Sequence, residues 1–350
     1  MTQRKNEGKK EFKDRFTKTM NDINQGTYIA TYNDTFISIL EKYVEQKHKD
    51  GITSDRSYRR DLETVVQIKK TCENFVNKPI QKITVEDIEK SKPNIREYAN
   101  SVINKIWAAI NKTFQIAYSR RKLSYNIMLD ETLTKPISKK ENKKIEALLI
   151  EEETKLINIL NNEERNHKYR DIILLQLYTG MRIGETLALT IDCIDLKNNT
   201  LTVYRTLTQD LNYNIILGEH TKTYKKRVCI DNGKRTFPMS ANVKKVIVDI
   251  LKNRTANING LLFWNYQKNT YITPGEITSY LQRINEKYNI CSSLHSHKLR
   301  HTFITRCVEK GLFPKVIQSL VGHIEGSTIT NDVYTSISND FIQQELKKLN

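Results

Sequence analysis

The sequence has no apolar run as long as the roughly 18 residues that a membrane-spanning helix needs. Its first twelve residues, MTQRKNEGKKEF, hold no apolar core, which argues against a secretory signal. Proline and glycine are scarce, with 6 and 12 residues among 350, and this favours long helices over a turn-rich β protein. These absences exclude a membrane partner and predict a mainly helical protein.

Cysteine is also sparse, and it forms no pattern. The five cysteines are odd in number, scattered and without CxxC spacing, which is typical of a reducing cytoplasm and argues against a zinc site. They are Cys72, Cys193, Cys229, Cys291 and Cys307. No carboxylate cluster is suited to a metal ion either. We therefore expect no metal, no cofactor and a cytoplasmic location.

Charge of one sign is abundant. The chain has 57 Lys and Arg residues against 40 acids, a formal net charge of +17. Such an excess indicates a polyanionic partner, and nucleic acid is the usual one. A merely basic cytosolic protein is the alternative that composition leaves open.

Composition divides the chain into four segments. Residues 1–29 form a basic segment that fits a helix, a DNA-contacting arm or disordered chain. Residues 30–132 carry helical periodicity and no catalytic pattern, which predicts a helical DNA-binding domain with basic edges. Residues 133–145, LTKPISKKENKKI, hold five lysines and indicate a basic linker. Residues 146–350 differ in character and form the second domain.

The first domain is predicted to contain four helices. Asn33 or Asp34 caps the first helix, and Thr84 with Asp87 forms a capping box that opens the third. The apolar stripes are Phe36, Ile39, Leu40, Tyr43 and Val44; Leu62, Val65, Val66 and Ile68; and Ile103, Ile106, Trp107, Ile110, Phe114 and Ala117. Their spacing of three and four residues places each set on one helix face.

The second domain mixes helices with a few strands. Helices are predicted over 151–160 and 171–178, a strand over 200–206, and a hairpin over 227–237 around an Asn-Gly turn. From residue 240 the pattern is mostly helical. The fold class is therefore mainly α with one small antiparallel β-sheet.

The stretch HSHKLRHTF, residues 295–303, is the first candidate for a site. His297 and Arg300 lie three apart at a predicted helix start, so both can reach one ligand. Leu299, Phe303 and Cys307 anchor that helix in the core and make the pair rigid, as catalysis requires. Alone, the stretch is more typical of a solvated helix start.

Four further residues stand in distinctive contexts. Arg182 follows a buried helix in TGMRIGE, and Lys222 lies beside the sheet in EHTKT. His323 follows a helix, 314–321, that Gly322 closes, and Tyr334 follows in TNDVYT. Taken singly, each is more typical of a surface or capping residue than of a catalyst.

Together these side chains suit phosphoryl transfer through a protein hydroxyl. Two guanidinium groups neutralise the charge that develops on the non-bridging oxygens of an attacked phosphodiester. A tyrosine oxygen attacks and can leave again, storing the bond energy as an ester. A lysine or histidine gives a proton to the departing alkoxide. No metal ion is required.

The order TGMRIGE, a sheet-region lysine, HKLRH, LVGH and a following tyrosine resembles the tyrosine recombinase family, or phage-type integrases. The helical domain resembles that family's core-binding domain, so the resemblance covers about residues 30–350. Carried over residue by residue, the catalytic set is Arg182, Lys222, His297, Arg300, His323 and the nucleophile Tyr334.

Two departures from the family pattern concern the lysine and the tyrosine. An insertion separates Lys222 from the Pro-containing strand end, so Lys225, Lys226 and Lys234 compete for its role. The interval from His323 to Tyr334 is slightly longer than usual, although no other tyrosine follows His323. Glu185, beside Arg182, is expected to orient that arginine or its helix.

The resemblance implies a C-shaped clamp around double-stranded DNA and a site-specific recombinase or integrase of a mobile element. It would act through a 3′-phosphotyrosyl intermediate and a Holliday junction, as a homo-tetramer on two DNA sites at the nucleoid. Accessory DNA-bending or excision factors are possible partners. The alternatives are a type IB topoisomerase-like relaxase and a non-catalytic DNA-binding regulator with the same fold.

The last residues predict a short amphipathic helix. Ile342, Leu346 and Leu349 fall on one face, with Phe341 beside them. A helix of about ten residues is not stable alone in water, so it must dock on its own domain or on a neighbouring protomer. The family resemblance favours the neighbour.

Overall fold

The computed structural model describes residues 7–24, 33–141, 146–162, 168–221, 233–257 and 259–322. The chain divides into two compact units, Met1–Lys143 and Lys144–Asn350. Each unit buries a hydrophobic core of its own. Among the described residues, no helix is both long enough and apolar enough to cross a membrane.

The first unit is helical throughout its described part. Its helices are α1 (Lys9–Asn24), α2 (Phe36–Lys49), α3 (Asp55–Thr71), α4 (Val85–Ile95) and α5 (Asn100–Ser119). Three buried rings mark the centre of the core, with the Phe36 centroid 5.2 Å from that of Phe75 and 5.7 Å from that of Phe114. The apolar stripe predicted for α5 is confirmed, since all of its members are buried except the partly exposed Trp107.

The cap predicted for α2 was wrong by one or two residues. Thr35 is the N-cap, because its hydroxyl accepts a hydrogen bond from the Ser38 amide at 3.3 Å. Asp34 instead accepts a hydrogen bond from Lys122, just beyond the end of α5. The capping box of Thr84 and Asp87 is confirmed at the start of α4.

The stripe predicted for α3 was only half right. Val65 and Ile68 are buried, but Leu62 and Val66 are 40% and 65% exposed. The adjacent pair Val65 and Val66 point to different sides of the helix, so only one of them can face the core.

Residues 133–140 pack against the helices of the first unit. Leu133 is buried in its core. The Ser138 hydroxyl donates to the Tyr98 carbonyl at 2.6 Å, and its amide donates to the Asn100 side chain at 3.0 Å. The basic stretch therefore begins as a bonded extension of the helical unit.

The second unit combines seven described helices with short strands. The helices are α6 (Ile150–Leu160), α7 (Arg170–Thr179), α8 (Ile183–Leu187), α9 (Ala241–Asn253), α10 (Pro274–Tyr288), α11 (Ser296–Glu309) and α12 (Pro314–Val321). The strands are β1 (Ile194–Asp195), β2 (Thr200–Val203), β3 (Thr206–Gln209), β4 (Ile215–Gly218) and β5 (Arg235–Pro238). The mainly α fold class with small antiparallel sheets is confirmed.

The predicted strand over 200–206 is divided between two sheets. Strand β2 pairs antiparallel with β1 on one side and β5 on the other, while β3 pairs with β4. The break falls at Tyr204 and Arg205, where the Tyr204 hydroxyl donates to Asp192 outside the sheet. Residues 222–232, including the first arm of the predicted 227–237 hairpin, lie outside the described residues.

Candidate active site

The site is built where α11 crosses the end of α7. Helix α7 ends at Gly180, whose φ of +63° closes the helix in the left-handed conformation. A Cβ at this position would lie 2.3 Å from Cδ1 of Phe303 on α11, so only glycine fits. The close approach brings the Gly180 carbonyl against Arg300, whose Nη1 donates to it at 2.6 Å.

Arg300 is a buried cation with donor capacity to spare. Only 3% of the surface of Arg300 is exposed. Within the described part of the chain, its Nη2 is buried without a hydrogen-bond partner. Burial and the charge of Arg182 lower the pKa of Arg300 to about 9, so the guanidinium still carries its charge at neutral pH.

Glu185 is the counter-ion at the centre of the site. Its side chain is fully buried in the first turn of α8. Oε1 accepts from Arg182 Nη1 at 3.0 Å, and Oε2 accepts from the Arg182 amide at 3.1 Å. Glu185 was expected to orient Arg182 or its helix, and these bonds join it to both the side chain and the amide of Arg182.

The carboxylate of Glu185 remains ionised although it is buried. Burial is the largest influence on its pKa and raises it. The charge and hydrogen bond of Arg235, followed by the charges of Arg182 and Arg300, outweigh burial and hold the pKa of Glu185 below its usual value.

Arg235 is a site residue that the sequence analysis missed. It lies at the start of β5, and its Nη2 donates to Glu185 Oε2 at 2.6 Å. A signal was available, because Arg235 lies two residues before the buried Phe237 and so shares its inward-facing side of the strand. Lys234, a predicted competitor for the catalytic lysine, is exposed immediately before the strand.

Backbone carbonyls at the end of α12 accept hydrogen bonds from the same arginines. Gly322 closes the helix with a φ of +66°, as predicted from the LVGH motif. Its carbonyl accepts from Arg182 Nη2 at 3.1 Å, and the Leu320 carbonyl accepts from Arg235 Nε at 3.0 Å. A Cβ at position 322 would lie 2.8 Å from Arg235 Nη1. Two arginines thus hold the chain immediately before His323.

Three histidines stand around the N-terminus of α11. His295 is the N-cap, and its Nδ1 accepts from the Lys298 amide at 3.0 Å. His297 is exposed by its overall surface, yet desolvation of its ring and the charge of Arg300 lower its pKa to about 4. The ring of His297 is therefore neutral at pH 7. Burial and the charge of Arg300 also lower the pKa of His301.

The structure brings three of the six predicted catalytic residues together. Arg182 and Arg300 are electrostatically coupled to Glu185, and His297 is coupled to both of these arginines. The other three, Lys222, His323 and Tyr334, lie outside the described residues, as do the competitors Lys225 and Lys226. Among the residues described, no group of three or more His, Cys, Asp or Glu side chains could hold a metal ion.

Three guanidinium groups share one carboxylate, which leaves the cluster of Arg182, Arg235, Arg300 and Glu185 with a net charge of +2. Two positive charges and a buried donor that has no partner among the described residues suit an oxyanion that gains charge during a reaction, as a phosphodiester does under attack. The geometry thus forms a cationic site of the kind that phosphoryl transfer requires.

The comparisons with known proteins agree with this class. The model of the phage integrase family matches residues 146–340, more than half of the chain, and the protein belongs to that family. The resemblance to tyrosine recombinases is thereby confirmed, and the protein is a site-specific DNA recombinase.

Individual relatives support the same assignment. The chain is 25% identical to the transposase of transposon Tn916 from Enterococcus faecalis, over 97% of this chain and 83% of the relative. It is 26% identical to the integrase of Staphylococcus phage L54a, over 90% of this chain and 93% of the relative. A solved structure of the Tn1549 transposon integrase in complex with a circular intermediate DNA matches with a TM-score of 0.73 at 21% identity, covering 90% of this chain and 99% of that one.

Proposed function

We propose that the protein integrates or excises a mobile element by exchanging DNA strands through Tyr334. The observation that carries the proposal is the +2 cluster with its buried, unpartnered Arg300 Nη2 among the described residues. Names of relatives agree, because they include a transposon transposase and a phage integrase.

The proposed reaction proceeds in two transesterifications. The Tyr334 oxygen attacks phosphorus, the bond from phosphorus to the 5′-oxygen breaks, and a 3′-phosphotyrosyl ester forms. The departing 5′-oxygen takes a proton from a general acid, for which Lys222 is the first candidate. The 5′-hydroxyl of a partner strand then attacks the ester and releases the tyrosine. Exchange of both strand pairs passes through a Holliday junction, and the ester conserves the bond energy.

The described residues have distinct parts in this scheme. Arg182 and Arg300 bind the non-bridging oxygens and neutralise the charge that they gain in the transition state. His297, which is neutral at pH 7 because of its low pKa, donates a hydrogen bond without adding a further charge. His323, which follows Gly322 directly in the sequence, is proposed as a further catalytic residue.

Double-stranded DNA is the proposed partner, and both units are proposed to bind it. The excess of 57 basic over 40 acidic residues supports this, since counterion release from phosphates drives such binding. We place the protein at the bacterial nucleoid, as a homo-tetramer on two DNA sites that accessory DNA-bending or excision factors can assist.

A cavity in the second unit supports the proposed assembly. Between α7, α9, α11 and α12, the described residues leave a cavity of about 490 Å³ with an apolar lining that includes Leu177, Val243 and Leu320. The chain continues for 28 residues beyond Gly322, and the last of them carry the apolar stripe of Ile342, Leu346 and Leu349. We propose that this tail of one protomer occupies the cavity of its neighbour.

A nicked suicide substrate tests the function directly. On such DNA the cleaved end diffuses away, so wild-type protein should accumulate a covalent adduct. Tyr334→Phe should form none while binding duplex normally, and Arg300→Ala should slow adduct formation about 10²–10³-fold. A wild-type protein that binds but forms no adduct would be a regulator, and one that relaxes supercoils without exchanging strands would be a relaxase.

A further inference from the structure

Arg235 stands between three parts of the site without belonging to the catalytic set. It comes from β5, and its side chain is only 9% exposed. Its Nη2 donates to Glu185 at 2.6 Å, and its Nε donates to the Leu320 carbonyl near the end of α12 at 3.0 Å. One guanidinium therefore joins a strand, the first turn of α8 and the last turn of α12.

We propose that Arg235 is a positioning residue of the recombinase, which holds Glu185 against Arg182 and fixes the end of α12 without contacting the phosphate. The inference rests on the proposed function, because it assumes that Arg182 binds the scissile phosphate. It adds a residue to the machinery that the catalytic motifs do not contain.

The hydrogen bonds of Glu185 link Arg235 to Arg182. Glu185 Oε2 accepts from both Arg235 and the Arg182 amide, while Oε1 accepts from the Arg182 side chain. A carboxylate held at one oxygen by a buried guanidinium has little freedom to rotate. The orientation of Arg182 therefore depends on Arg235 through a shared carboxylate.

Arg235 also packs against Gly322 at the end of α12. Arg235 Nη1 is buried and, among the described residues, has no hydrogen-bond partner. It lies where a Cβ of residue 322 would come within 2.8 Å. With two nitrogens committed and the third against Gly322, Arg235 is arranged to support α12. Arg182 is 23% exposed and is better placed to meet a substrate.

The charges around Glu185 give the positioning role of Arg235 a measurable pH dependence. Three groups face its carboxylate: Arg182 at the N-cap of α8, Arg235 from β5 and Arg300 from α11. Arg235 contributes most to keeping the pKa of Glu185 low against the effect of burial. Without Arg235, the pKa of Glu185 rises, and protonation at lower pH removes the acceptor that holds Arg182.

The test measures adduct formation on the nicked substrate from pH 6 to pH 9, as the ratio of each variant to wild type. At pH 7, Arg235→Met should be about 10–100-fold slower, the range typical of lost positioning partners. The deficit should shrink as pH rises, by up to about tenfold per pH unit while Glu185 is being deprotonated. Arg235→Lys keeps the charge, so its ratio should be nearer to one and flat with pH.

Two further variants separate positioning from simple destabilisation. Glu185→Gln should be slow at every pH, and adding Arg235→Met to it should cost little more, because the shared acceptor is already lost. Arg306→Met is the matched control. Arg306 is likewise partly buried and bonds to Glu153, Glu309 and the Leu148 carbonyl, so its loss should lower thermal stability without a pH-dependent ratio.

A pH-independent ratio for Arg235→Met, or a deficit no greater than that of Arg306→Met, would overturn the inference. If Arg235→Met does not fold, Arg235→Lys decides: a rate within about threefold of wild type supports the role of charge, and a rate as low as that of Glu185→Gln contradicts it. Failure of the wild-type protein to form any adduct would instead refute the proposed function.

Discussion

The ion pair of Lys47 and Asp61 in the first unit and the cluster around Glu185 in the second differ in how carboxylates and cations are matched. In the first unit, pairs such as Lys47 with Asp61 join one cation to one acid at 2.9 Å, and both side chains keep about a quarter to a third of their exposure. In the second unit, the fully buried Glu185 serves Arg182 at 3.0 Å and Arg235 at 2.6 Å.

The difference indicates what each arrangement is for. A partly exposed one-to-one pair contributes only about 0–1 kcal/mol, because solvent screens both charges. Burying three arginines around one carboxylate costs desolvation energy that the attraction repays only in part. A cluster with an excess of +2 therefore makes physical sense when an anionic substrate completes it.

The largest effect is expected from replacing Glu185. In Glu185→Gln one carboxylate oxygen becomes an NH₂ group, which must face a guanidinium or an amide donor. The loss should lower the free energy of unfolding by about 3–5 kcal/mol, as for other broken buried pairs. Denaturant unfolding measures this, and unchanged stability would mean that the cluster is not held by its carboxylate.

A smaller effect is expected at the glycine that joins α7 to α11. Gly180→Ala should cost about 1–2 kcal/mol for its positive φ and roughly 1–3 kcal/mol more for the overlap with Phe303. Gly51→Ala in the first unit is the matched control, because its φ is +65° and no atom lies within 4 Å of the added Cβ. Equal losses in the two variants would show that the contact with Phe303 is unimportant.

The charge excess should also be visible at His297. Its pKa of about 4 lies below the ordinary value of 6.5, so the folded protein binds this proton less readily than the unfolded chain. The stabilising contribution is thus present above pH 6.5 and is lost as pH falls towards 4. An NMR titration of the ring should give a midpoint near 4, and a midpoint near 6.5 would contradict the desolvation of the ring and its coupling to Arg300.

The smallest effect is expected at the pair of Lys47 and Asp61 in the first unit. Asp61→Asn removes the same unit of charge as Glu185→Gln, but from a partly exposed site. It should change the free energy of unfolding by less than about 1 kcal/mol and leave adduct formation unchanged. A loss comparable to that of Glu185→Gln would end the distinction between the two kinds of pair.

Sequence patterns predicted the local structure around the site well. The helices ending at Gly180 and Gly322 follow from apolar runs closed by glycine, and Arg300 follows from its position three residues after His297 on an anchored helix. Such features depend on neighbours close in the chain. The break of the strand at Tyr204 was missed because it depends on which strands pair with each half, β5 among them, and the local pattern does not show this.

Arg235 was missed for the same reason. Its partners Glu185 and Leu320 lie 50 and 85 residues away in the chain, and no short motif encodes those contacts. Its place beside the inward Phe237 indicates burial, but burial alone does not reveal which carboxylate an arginine meets. The predicted roles of Lys222, His323 and Tyr334 remain predictions.

The identity of the nucleophile is the most direct measure of the account. Wild-type protein trapped on a nicked substrate can be digested, and the peptide that carries the nucleotide can be sequenced by mass spectrometry. The account predicts a single modified peptide, with the phosphate ester on Tyr334. A modification on any of the other tyrosines among the 17 in the chain, or on no tyrosine at all, would contradict it.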